Sequence, residues 1–508
     1  MLAVLLGAPL AAAVLVGVLV LKIVLDTRGK LEVLSAVPTF PEVGWLGHWP
    51  WWKQTDIWKK IQAKAKALGP VFRVRLGPVP MLVVSDPAEY VRACHRGDDY
   101  LDKATDAYEC FNKVHFGPWC QNILSMGSDE QWKVIRRALS PCFSTSRMKP
   151  AFEVTAKITQ SILDQVAAAG PSKSFDVSDL ARRVTVGVIS QWGFLCPTSA
   201  DDLSSTCAFV EQQQKTATAV HQLWMDPFWW LTLWTDKSAR LHRENCRMYD
   251  NTMAEYTKSL QARFDELPPD TIAGALLRAT NPKTGQRLAF HELKSNVAIV
   301  HAAGFETTSS TFSSMMVLLL QHPHALREVE KELDAVGLLK TATCPSPRPL
   351  EWSDIGRLAY LPAVVKEALR LMPPASLGTV RITGKPTKIC GYDVPAGVAV
   401  NFPHAVVDRS AAAYGADADE FVPERWMDKS LKDAGNLKEP VAFSVGPRDC
   451  VGQALARVEL VTVLAMIIAR FMPVLDTAIN TFVDLERQCQ YRLTLAYVDG
   501  VYIKFEPR

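Results

Sequence analysis

The sequence predicts a mainly helical protein that carries small β-sheets behind an apolar N-terminal helix. Three observations lead there. From about residue 129 to residue 340, apolar residues recur three and four apart, the spacing of one helix face. Period-two alternation is confined to short segments far apart in the chain. No Gly-x-Gly-x-x-Gly follows a strand pattern, so a doubly wound dinucleotide-binding sheet is not expected.

Composition narrows the class further. The 508 residues are 48% hydrophobic and 21% charged, which supplies a large core and is unlike a disordered chain. Lys+Arg 56 against Asp+Glu 53 leaves a net charge of +3, so the markedly basic surface of a dedicated nucleic-acid binder is absent. The cysteines form no Cys-x-x-Cys pair, which removes zinc ribbons and thioredoxin-type motifs.

Taken in order, Met1 to Leu21 carry no charged side chain and as a helix would span about 31 Å. Lys22, Asp26, Arg28 and Lys30 follow. Residues 1–25 are therefore expected to be a single-pass membrane anchor, with the basic flank keeping the rest cytosolic. A cleaved signal peptide is the rival; the missing basic residue before the run and the lysine at its end speak against it. Residues 26–51, punctuated by Pro38, Pro41, Gly44, Gly47 and Pro50, read as a Pro/Gly-rich linker, and 52–508 as one catalytic domain. Trp52 to Leu68 suggests a short helix with a lysine-rich face. Val71 to Leu76 and Pro80 to Ser85, separated by Gly77-Pro78, suggest a hairpin. Strand patterns return near Ile389–Tyr392, Ala399–Asn401 and Tyr491–Phe505. The aromatic stretch from His221 to Trp234 fits either core packing or a membrane-dipping surface.

The chemistry concentrates in Phe443-Ser444-Val445-Gly446-Pro447-Arg448-Asp449-Cys450-Val451-Gly452. A cysteine on a tight glycine-flanked loop precedes a long apolar helical run, so loop amides and the helix dipole favour a thiolate. Gly446 allows a turn that a Cβ would obstruct, Gly452 lets a flat ligand approach, and Arg448 offers a cation to a carboxylate. Phe443, Gly446, Arg448, Cys450 and Gly452 match the haem-binding signature of the cytochrome P450 family, which this chain resembles over nearly the whole soluble body.

The resemblance implies the cytochrome P450 fold, with haem b bound and Cys450 as the axial ligand of its iron. It implies that Glu367, Arg370 and Arg425 form a buried charge network behind the cysteine loop, and that Trp132, Arg136, Arg381 and Arg448 hold the haem propionates. The family often carries a His-Arg pair where this chain has Asp408-Arg409, so propionate binding is not expected there. Ala303-Gly304-Phe305-Glu306-Thr307-Thr308 resembles the distal-helix motif, in which Glu306 and Thr307 would act as an acid–alcohol pair delivering protons, on a helix that opens a groove. Ile299, Ala302, Ala303, Ala375, Ser376 and Leu377 would shape the substrate pocket, whereas His301 falls on another helix face.

The expected activity is thus a haem-thiolate monooxygenase that inserts one oxygen atom of O₂ into a lipophilic small molecule, by hydroxylation or epoxidation. Family resemblance implies an endoplasmic reticulum membrane location and electrons from NADPH through NADPH–cytochrome P450 reductase or a similar flavoprotein. Lys133, Arg137, Arg147 and Lys149 offer a basic face for such a partner. Two other classes stand beside this one: a reductase-independent isomerase or dehydratase of a peroxide substrate, and a haem-binding protein without catalysis. The Glu306–Thr307 pair favours the monooxygenase.

Overall fold

Helix patterning and short β segments resolve into a helical body flanked by small sheets, as expected. A computed structural model describes residues 2–95, 97–111, 121–198, 200–203, 208–225, 236–341, 344–427 and 439–508; the side chains of 2–16, 109–111, 208–209, 213 and 223–225 lie outside that description. The helices used below are α1 (Leu2–Val33), α2 (Glu130–Leu139), α3 (Met148–Ala169), α4 (Val177–Val188), α5 (Phe290–Gln321), α6 (Tyr360–Leu371) and α7 (Gln453–Arg470). Local chemistry sets their ends. Asp129 Oδ1 accepts from the Trp132 amide at 2.8 Å to start α2, and Asp176 Oδ1 accepts from Ser178 at 2.9 Å to start α4. Gly170, at φ +84°, stops α3.

Among the described residues no helix is long and apolar enough to cross a membrane. The expected anchor falls largely on residues 1–16, whose side chains are not described. Likewise Trp224, Phe228, Trp229, Trp230 and Trp234 lie outside the described side chains; His221, at the near end of that stretch, is buried.

The expected hairpin forms β1 (Val71–Leu76) and β2 (Val79–Val84), antiparallel around Gly77 at φ +60°. With β3 (Asp102–Lys103), β4 (Thr379–Ile382) and β5 (Ala399–Phe402) they make a five-stranded sheet in the order β1-β2-β5-β4-β3. The expected linker lies against this sheet. The Arg73 amide donates to Pro38 at 2.7 Å, His48 to Arg75 at 2.7 Å, and Arg75 pairs with Glu42 at 2.6 Å, while Leu34 and Val37 are buried. The lysine-rich helix is a paired surface: Lys60 meets Asp56, Lys66 meets Asp419 and Lys59 meets Glu486.

The core joins α3, α4, α5, α6 and α7 in one apolar cluster. Gly304 has a packing reason that the motif alone did not disclose. A Cβ there would lie 3.0 Å from Ile189 Cδ1, in the π-helical turn that ends α4, so glycine lets α4 and α5 approach closely. α5 runs from Phe290 to Gln321. Within it Thr307 and Thr311 donate back to the Ala303 and Thr307 carbonyls, at 2.9 and 2.8 Å.

Candidate haem-thiolate site

The cysteine loop is built by hydrogen bonding and one obligatory glycine. Phe443 closes a 3₁₀ turn, its carbonyl accepts from the Cys450 amide at 2.8 Å, and Gly446–Arg448 form a second such turn. Gly446 sits at φ +77°, and a Cβ there would come within 2.1 Å of the Cys94 carbonyl oxygen. No other residue fits without moving backbone. Gly452 starts α7, and a Cβ on it would lie 4.0 Å from Cys450 Sγ.

Ser444 is the residue the motif left unexplained. It stands at φ +59°, where glycine is favoured, and its hydroxyl meets Tyr90 Oη at 3.0 Å. Tyr90 Oη in turn lies 3.3 Å from His404 Nε2. A hydroxyl–phenol–imidazole chain, buried at Tyr90 and His404, thus holds the left-handed residue in place.

Cys450 has an exposed side chain, yet the surrounding protein desolvates its sulfur. That combination belongs to a side chain turned onto internal space. Burial pushes the thiol up; the Gly452 amide and then Arg136 pull it back only in part. The loop amide thus works toward a thiolate, as the sequence suggests, while burial works against it. A bound metal ion is what deprotonates a coordinating thiol of this kind. Ala303 is likewise exposed in mid-helix, between buried Ile299, His301 and Phe305.

The buried charge network behind the loop is present as expected. Glu367 accepts from Arg370 Nε and Nη2 at 2.8 Å each, from Arg425 Nε at 3.0 Å and from Trp426 Nε1 at 2.9 Å. Arg370 also donates to the Asp408, Ala418 and Glu420 carbonyls. Asp408, in the run that departs from the family pattern, is buried and accepts from the Val441 amide at 3.0 Å and Tyr414 Oη at 3.1 Å. It therefore fastens the start of the cysteine loop.

A second charge cluster has no such closure. Arg381, on β4, is 1% exposed, and its Nε, Nη1 and Nη2 have no hydrogen-bond partner among the described residues. Arg448 donates through Nη2 to the Met126 carbonyl at 2.7 Å, leaves Nη1 unpartnered, and stacks 4.4 Å over the buried Trp132 ring. Burial draws Arg448 down to about 10, against the pull of Asp102. Lys103, which sequence reasoning missed, stands directly opposite Arg381 in the β3–β4 register, with its ammonium 4.1 Å from the Tyr108 ring. Burial, then Arg448 and Arg381, hold it well below the usual lysine range. Like charges directly opposite on a sheet are destabilising unless an anion joins them. Two carboxylates on one flat ligand fit this cluster, so these residues suit haem propionates. Arg136 donates to the Asp449 carbonyl at 2.7 Å and to the Asp449 carboxylate, fastening α2 to the cysteine loop.

Glu306 and Thr307 are adjacent, but their polar atoms bond elsewhere. Thr494 Oγ1 donates to Glu306 Oε1 at 3.2 Å, whereas Thr307 donates to Ala303. Burial lifts Glu306 to about 7, against Thr494 and Arg182. His301 is 3.0 Å from Ser190 Oγ and stacks on Phe194 at 5.6 Å, in keeping with a core role. Of the expected pocket residues, Ala302, Ala303 and Ala375 keep accessible surface; Ile299, Ser376 and Leu377 are covered. In the expected basic face, Lys133 pairs with Glu130 and Arg147 with Asp270, while Arg137 and Lys149 are exposed.

The sequence model of the cytochrome P450 family matches residues 37–481, which takes in both charge clusters and the cysteine loop. The chain belongs to the cytochrome P450 family. Among its relatives is a self-sufficient cytochrome P450 monooxygenase of Phanerodontia chrysosporium, 24% identical over 87% of this chain and 40% of that protein. A second of that name, from Aspergillus terreus (strain NIH 2624 / FGSC A1156), is 30% identical over 67% of this chain and 31% of its own length. Cytochrome P450 4V2 of Rattus norvegicus is 25% identical over 79% of this chain and 76% of that protein. The chain thus spans well under half of the two self-sufficient relatives and about three quarters of the third.

Proposed function

We propose that this P450 is a haem-thiolate monooxygenase acting on a lipophilic small molecule, with its haem held between the cysteine loop and α5. The observation that carries this is the pairing of an inward-turned Cys450 with a buried Arg381 that has no hydrogen-bond partner among the described residues and stands opposite Lys103. Cys450 is the iron ligand, and Arg381, Arg448 and Lys103 bind the propionates, with Trp132 supporting Arg448. Haem bound there supplies dioxygen activation, so that one oxygen atom enters the substrate and the other leaves as water. The chain's own residues orient and protonate. Ala302, Ala303 and Ala375 present small apolar surface to a substrate, which suits a bulky oily molecule. Glu306, lifted to about 7 by burial, holds an exchangeable proton near neutral pH, and Thr307 lies beside it on α5.

Electrons come from NADPH through a flavoprotein such as NADPH–cytochrome P450 reductase, with the exposed Arg137 and Lys149 as part of its docking face. The name self-sufficient, carried by two matched relatives, favours a second arrangement in which no separate reductase is needed. Residues 1–25 serve as the membrane anchor, placing the protein at the endoplasmic reticulum with its catalytic body in the cytosol; the uncharged run from Met1 to Leu21 supports this. Incubation with a lipid library under ¹⁸O₂ tests the activity. One ¹⁸O atom per product is expected; oxygen drawn from water or from an added hydroperoxide contradicts it.

A further inference from the structure

Glu306 and Ser310 lie one helical turn apart on α5, and both reach the C-terminal hairpin formed by Cys489–Arg492 and Thr494–Tyr497. Thr494 Oγ1 donates to Glu306 Oε1 at 3.2 Å, and Ser310 Oγ donates to the Leu495 carbonyl. The hairpin is fixed from other directions as well. The Leu495 amide donates to Pro374 at 2.9 Å and the Tyr491 amide to Thr55 at 2.8 Å. Arg492 pairs with Thr494, which leaves Leu493 alone at the apex with φ +69°, a conformation few non-glycine residues adopt. Leu493 packs against Ala219, Val220 and Cys246. The position of the Thr494 side chain is therefore set by tertiary contacts on several sides, not by a flexible loop.

We propose that Thr494 is a positioning residue whose hydroxyl holds the Glu306 carboxylate at the hairpin tip, so that the hairpin, rather than the neighbouring Thr307, governs how the acid is aimed. The proposal rests on the reading of Glu306 as the proton-handling acid. The groups that face Glu306 are Arg182 from α4, Thr494 and Tyr491 from the hairpin, and Thr307 beside it on α5. Arg182 is shared with Asp176 at 3.4 Å, and the Thr307 hydroxyl is given to Ala303, which leaves Thr494 as the hydroxyl donor to this carboxylate among the described residues. Burial lifts Glu306, while Thr494 and then Arg182 lower it. A donated hydrogen bond favours the ionised form, so removing the hydroxyl must raise the midpoint at which the acid loses its proton.

Infrared pH titration of the purified holoenzyme reads this without turnover. The protonated-carboxyl band is assigned by its loss in Glu306→Gln. In Thr494→Val the midpoint is expected to rise by about one pH unit, since a hydrogen bond to a charged group is worth that much. In Thr494→Ser, which keeps the hydroxyl, it is expected to stay at the wild-type value. An unmoved midpoint in Thr494→Val, or an equal rise in Thr494→Ser, overturns the assignment. The carbon-monoxide difference spectrum of the same samples reports on Cys450 alone. Failure of that spectrum in the wild type sinks the haem-thiolate reading, while the midpoint comparison still decides whether Thr494 holds Glu306.

Discussion

Two buried charge clusters flank the cysteine loop, and they differ in one respect. Around Glu367, every charge meets its complement: two arginines, an indole N–H and a backbone amide converge on one carboxylate, and spare guanidinium nitrogens find carbonyls. Around Arg381, Lys103 and Arg448 share the Asp102 carboxylate, and among the described residues three Arg381 nitrogens are left without hydrogen-bond partners. The first cluster is complete within the chain, so it works as scaffold. The second keeps unpaired guanidinium nitrogens among the described residues, which is what the proposed propionate site needs. Satisfaction of buried charge, rather than its mere presence, separates the two roles.

The comparison breaks most visibly at Glu367. Glu367→Ala strands Arg370 and Arg425 in the interior and is expected to cost roughly 3–5 kcal/mol. Urea unfolding should show this loss in haem-free and haem-loaded protein alike. A loss confined to the haem-loaded form would mean that the network belongs to the binding site.

Lys103→Met tests the other cluster and should act in the opposite direction. It removes a cation that faces two others, so the haem-free protein should be no less stable than wild type. Haem transfer to an excess of scavenger protein should be roughly tenfold faster, the size of one lost charge-assisted contact. Unchanged haem release with a destabilised haem-free protein would make Lys103 a packing residue instead.

What the sequence could disclose follows from how each feature is encoded. The segment from Phe443 to Gly452 is legible because its pattern is local: Gly446 turns at φ +77°, the Cys450 amide bonds the Phe443 carbonyl, and Cys450 sits just before α7. Glu367 and Arg370 were legible because they lie one turn apart on a helix. Lys103 was not, because its meaning depends on a strand register with Arg381 that no short window contains. The same holds for Thr494, which meets Glu306 across 188 positions, and for Ser444, whose left-handed backbone is supported by Tyr90 across 354. Nor does a short window show that Arg136 pairs with Asp449, next to Cys450 in the loop. Periodicity gave the helices; it did not show that the Pro/Gly-rich stretch would fold onto β1, since those bonds are to the backbone.

The most direct measurement is the absorption spectrum of reduced, carbon-monoxide-treated protein, compared between wild type and Cys450→Ser. The wild type should show the red-shifted Soret band of a thiolate-ligated haem. The variant should lose that band while keeping the Glu367 network and its urea midpoint in the haem-free state. The same band in both proteins would show that Cys450 is not the ligand and would contradict the site described above.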